Sequence, residues 1–147
     1  MIRAGKLAAL GCLLAAAAGA QDPAVDYMLQ CQGCHRADGA GSPGAVPDLR
    51  GSLARFLSVP GGREYLVRVP GAAQSPLSDE RLAALLDWML REFGPAEAAA
   101  DFEPYRADEV AGWRAQPYLE VEPVRRELIR RIEAASAPGS RCCSASR

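Results

Sequence analysis

The most regular apolar pattern lies past the middle of the chain. Leu82, Leu85, Leu86, Met89 and Phe93 recur at i, i+3, i+4, i+7 and i+11, which puts them on one face of a helix. Ser78 can cap that helix, Asp79 and Glu80 suit the positive end of its dipole, and Gly94-Pro95 stops it. Shorter helices are predicted over Val25 to Cys34, Ser52 to Leu57 and Gly62 to Val69, the last ended by Pro70-Gly71. Gly39 to Gly51 and Ala72 to Leu77 read as loops. Beyond Pro95 the pattern weakens. Ala96 to Ala100 reads as a frayed turn, and Ala107 to Ala115 and Pro123 to Ala135 read as two further helices split by Pro117. The second sets Val124, Leu128, Ile129 and Ile132 against a solvated face of Arg125, Arg126, Glu127, Arg130, Arg131 and Glu133. Trp113, Val110 and Leu119 are expected to anchor this extension, and Ser136 to Arg147 is small, polar and expected to be disordered. The prediction is an all-α protein.

The first twenty residues have another purpose. Arg3 and Lys6 precede an apolar run from Leu7 to Ala18, and Ala18-Gly19-Ala20 has the small-x-small pattern of a cleavage site. The run falls short of the about 20 residues that span a bilayer, so no stable membrane span is expected. Ala9-Leu10-Gly11 before Cys12 matches a lipoprotein signal poorly. Residues 1–20 therefore read as a signal peptide that sends the chain to the periplasm. Its removal takes Arg3 and Lys6 and no acid, moving the formal charge from −1 to −3. That balance provides no basic footprint for nucleic acid. With 147 residues, of which 49% are apolar, there is room for one domain with a modest core.

Cysteine placement changes the picture most. Cys12 leaves with the leader and Cys142-Cys143 sit in the tail, which leaves the run Cys31-Gln32-Gly33-Cys34-His35. A two-residue spacer lets both sulfurs reach neighbouring vinyl groups of one haem from a single helical turn, and the next residue can aim its imidazole at the iron. Two other readings compete. A structural zinc site wants four ligands, but His35 is the only histidine and the remaining cysteines are a vicinal pair in the tail. A thioredoxin-type pair wants alternating strands and helices, and none surround the motif. The run thus predicts one covalently attached haem c, with thioethers from Cys31 and Cys34 and His35 as the proximal iron ligand.

On these residues the chain resembles the class I c-type cytochromes of the single-haem, bacterial periplasmic type. Tyr27 stands four before Cys31, where the family has an aromatic residue, and Pro47-Asp48-Leu49 fits its Pro-x-Leu segment. Leu85 and Trp88 fit the apolar and aromatic positions of its last helix, after the cap signal Leu77-Ser78-Asp79. The similarity covers about seventy residues, from Val25 to Phe93. It implies three to four helices around one covalent haem, here followed by a helical C-terminal extension. The segments would be a cytochrome domain over 21–95, the extension over 96–135 and the tail over 136–147. It also implies that the Pro47 carbonyl orients His35, that Leu49 packs on the porphyrin, and that the protein carries one electron between a donor dehydrogenase and a terminal acceptor rather than acting as an enzyme.

One expected residue is missing. The resemblance implies a Met ligand near Ala72, yet Val69 to Pro76 contains neither Met nor His. The mature chain has only Met28 and Met89. Met28, beside the motif, reads as a packing residue. Met89 follows Trp88 on the last helix and is the candidate for the distal position; Gln74 offers an amide oxygen. A vacant position is the remaining option, and it carries a different function: a five-coordinate haem protein binding a small ligand such as NO or CO. A haem subunit within a larger redox complex is a third. Peroxidase chemistry would want a distal histidine that the chain lacks.

Overall fold

In the computed structural model, residues 22–95 and 102–137 are described; residues 1–20, Ala96 to Ala100, Cys142 and Cys143 lie outside the described residues. Helix α1 (Pro23–Gln30) starts where a Pro is tolerated, in the first turn, and the Asp22 side chain accepts a hydrogen bond from the Ala24 N–H at 3.0 Å. The expected continuous helix from Val25 to Cys34 is in two pieces. Cys31 leaves helical geometry (φ −122°) and a single turn, α2 (Gln32–His35), follows. A 3-10 helix (Leu53–Ser58) and α3 (Gly62–Arg68) come next.

Pro70 interrupts the chain but also restarts it. It forces the preceding Val69 into an extended conformation (ψ 138°) and then occupies the first turn of α4 (Pro70–Ala73). Ala72 and Ala73, expected in a loop, are therefore helical. Helix α5 (Asp79–Phe93) matches its sequence signals: the Ser78 hydroxyl accepts from the Arg81 N–H at 3.3 Å and the helix ends at Gly94. The helices expected of the core are thus present, the first of them broken at Cys31 and the short α4 added where a loop was expected.

Helices α1 and α5 pack through an aromatic group. Tyr27 is 2% exposed, with ring centroids 5.4 Å from Trp88 and 5.0 Å from Phe93. Beside it, the buried Asp26 carboxylate is paired with the Arg81 guanidinium across the two helices. This inward turn of Asp26 and Tyr27 leaves Met28 pointing out, 54% exposed, so Met28 is not the packing residue expected of it.

The extension forms α6 (Ala107–Arg114) and α7 (Val121–Ser136). Val110, Leu128 and Ile132 bury it, whereas Leu119 is 96% exposed and anchors nothing; Tyr118 does that work, its ring 6.1 Å from that of Tyr65. Arginines hold it to the core. Arg63 donates to the Glu103 and Pro104 carbonyls, Arg68 to Gln116, and Arg114 reaches back from α6 to the segment after α4. No strand occurs among the described residues, and no helix there is long and apolar enough to cross a membrane.

Candidate functional site

The two motif cysteines, His35, Pro47, Leu49 and Met89 all line one cavity of about 420 Å³. That is within the usual size range of ligand and cofactor pockets. Its remaining walls are largely apolar: Leu53, Phe56 and Leu66 on one side, Leu82, Leu85 and Leu86 of α5 on another. Sequence spacing and folding thus bring together the residues expected to serve one cofactor.

Each has a local cause. The break at Cys31 carries α2 away from the α1 axis, and the Cys34 and His35 N–H groups both return to the Cys31 carbonyl, at 3.1 and 2.9 Å. Tyr27 donates its hydroxyl proton to the Arg36 carbonyl at 2.7 Å, tying the end of α2 to the core. Neither cysteine is paired in a disulfide. Burial pushes the Cys31 thiol up to about 11, so it is a neutral S–H. A thioether is also uncharged, so tethering there does not require a buried charge.

His35 Nδ1 lies 3.1 Å from the Pro47 carbonyl oxygen. A carbonyl only accepts, so Nδ1 carries the proton and Nε2 keeps its lone pair for a metal. Burial, opposed by that hydrogen bond, holds the imidazole below its ordinary value and therefore neutral. Gly41 makes the contact possible. It has φ +66°, donates its N–H to the His35 carbonyl at 3.2 Å, and a Cβ there would lie 2.5 Å from the Pro47 oxygen. The Leu49 N–H is held by the Gly39 carbonyl at 2.9 Å, which seats Leu49 in the core at 7% exposure.

Another wall of the cavity is formed by Val69, Gly71, Ala72 and Ser75. Arg114 fixes it. The guanidinium donates to the carbonyls of Ala73 (3.1 Å), Ser75 (2.5 Å) and Leu77 (2.7 Å) and to Asp79 (3.0 Å). Gln74 is exposed and does not line the cavity, which removes it as a distal candidate; Met89, 7% exposed, does line it. The extension also enters the site. Val121, Glu122 and Arg125 at the start of α7 line the cavity, so Arg125 does not belong to the purely solvated face expected of it. Nothing in the pattern of α7 marks this, because a cavity-facing arginine and a solvated one share the same helical position. Among the described residues no group of three or more His, Cys, Asp or Glu side chains is placed to hold a metal ion.

A cytochrome c-552 of Thermus thermophilus is 36% identical over 122 residues, covering 71% of this chain and 82% of that protein. A second Thermus thermophilus cytochrome c-552 is 37% identical over 105 residues, covering 59% of this chain and 80% of that protein. The chain belongs to the c-type cytochromes. No family-level profile matches it. As a c-type cytochrome with the all-α class I fold, it acts in electron transfer and its cofactor is covalently attached haem c. The cavity suits that group on its own terms: two cysteines outside any disulfide, a neutral imidazole with a free Nε2, and apolar walls surround one space.

Proposed function

We propose that this cytochrome is a periplasmic single-haem electron carrier, in which Cys31 and Cys34 tether the haem and His35 binds the iron through Nε2. The observation that carries this reading is the Nδ1–Pro47 contact at 3.1 Å beside two cysteines outside any disulfide on one cavity. When bound, the haem supplies a one-electron Fe(II)/Fe(III) couple. The protein's part is to hold and insulate it. Pro47 keeps the imidazole proton on Nδ1 and fixes the ring plane, as an outer partner of a metal-bound histidine does. Leu49, Leu53, Phe56 and Leu85 exclude water, and the low dielectric they impose disfavours the extra charge of the ferric state. Redox proteins, a donor dehydrogenase and a terminal acceptor, are the partners this chemistry requires, and the apolar run at residues 7–18 is the support for export.

Met89 is the methionine among the cavity-lining residues and is our candidate for a second protein ligand that would reach the iron. The competing reading, a five-coordinate iron that takes NO or CO, is favoured by Ala72 and Gly71 in the wall where the family's Met is expected. Absorption spectroscopy separates them. The carrier reading expects a low-spin ferric spectrum and slow CO uptake by the reduced protein, both lost in Met89→Ala. A high-spin wild-type spectrum with fast CO uptake selects the ligand-binding reading, and an unchanged Met89→Ala spectrum removes Met89 as ligand.

A further inference from the structure

A haem tethered through its vinyl edge keeps two propionate side chains, anionic at neutral pH. An apolar cavity that accepts them must supply compensating charge, because an unpaired buried carboxylate is costly. The charged groups on the cavity wall are few. Asp48 is paired with Arg50 at 2.7 Å, and Glu122 with Arg126 at 3.8 Å. Arg125 also lines the cavity, is half-buried, and has no carboxylate partner among the described residues. At the buried Tyr65 hydroxyl its charge opposes the upward push of burial and outweighs the smaller opposite influence of Glu122. It projects from the first turns of α7, a 16-residue helix that no side chain caps, so the positive end of the helix dipole lies on the same side.

Resting on the haem reading above, we propose that Arg125 pairs with a propionate carboxylate of the haem, which makes the C-terminal extension part of the cofactor's binding site. A guanidinium suits this role because its planar fork can give two parallel hydrogen bonds to one carboxylate. The extension is placed to do so by the arginine contacts that dock it: Arg68 holds the Gln116 carbonyl at 2.6 Å, and its own carbonyl accepts the Tyr118 N–H at 3.0 Å, immediately before α7.

The test is a spectroelectrochemical titration of the intact holoprotein and its variants, with covalent haem content and thermal unfolding measured on the same samples. Arg125→Gln removes the compensating charge and favours the ferric state. The equilibrium constant for reduction should fall about tenfold, which for one electron is about 59 mV. Arg125→Lys keeps the charge and should stay within about threefold of wild type, and Arg126→Gln, on the exposed neighbour, should leave the potential unchanged. A potential for Arg125→Gln equal to wild type, at equal haem content, overturns the proposal. So does an equal shift in Arg126→Gln, which would assign the effect to the general field of the helix, or in Arg125→Lys, which would assign it to packing. Absence of haem from the wild-type protein would instead contradict the underlying haem reading.

Discussion

Two walls of the same cavity are built by opposite strategies. One runs from Cys31 to Leu49 and is held by contacts short in sequence: His35 to Pro47, Gly41 to His35, Leu49 to Gly39. The other, from Val69 to Leu77, is held from outside by Arg114, which lies 41 residues from Ala73. On the function proposed above, the first wall would carry the chemistry, and the spacing of its residues would be constrained by the cofactor. The second carries small side chains whose carbonyls need donors, and a remote guanidinium supplies them. The first wall is thus held from within the core, and the second is held by an arginine of the extension.

The contrast can be broken most sharply at the first wall. Replacing Cys31 and Cys34 together with Ser should abolish covalent haem, a loss of at least about tenfold in haem retained after denaturing electrophoresis. Arg114→Met should leave haem attachment intact, because it touches only the second wall. It should cost about 3 kcal/mol in urea unfolding, since three carbonyls and Asp79 lose a donor that is 17% exposed. Equal loss of haem in both variants would erase the distinction between the walls.

A smaller effect lies on the seam between core and extension. Asp87, 9% exposed, accepts the Tyr105 N–H at 2.9 Å, and burial pushes its carboxyl up despite that bond and the nearby Arg91 and Arg63. A folded-state value above the unfolded one means the fold holds the proton longer. The associated stability is present below the ordinary carboxylate range of about 4 and is lost as pH rises through the raised value. Asp87→Asn keeps an acceptor oxygen and removes this slope. The variant should gain on wild type as pH increases from about 3 to 7, read from urea midpoints; parallel curves would place the titration elsewhere.

Most of the first wall was legible in the chain itself. Cys31, Cys34 and His35 sit at offsets that only their joint chemistry requires, and Pro47 and Leu49 follow from the family resemblance. Helix α5 was legible because its cap, periodicity and stop agree. The break at Cys31 was not, since neither Gly nor Pro stands at that position to mark it; it shows only in the folded backbone. Pro70 signals an interruption, yet the same residue can end one helix or begin another, and here it begins α4. Arg114 and Arg125 were hidden for a third reason. An arginine on an amphipathic helix reads as solvated, and only the fold reveals that these two reach the Ala73–Leu77 segment and the cavity.

A single covalent haem that cycles one electron is the central claim, and an anaerobic redox titration of the purified protein followed in the haem absorption bands tests it most directly. The prediction is one reversible one-electron transition, with the haem still bound to the chain after denaturation. A chain with no reducible haem band, or a haem that leaves on denaturation, would contradict it.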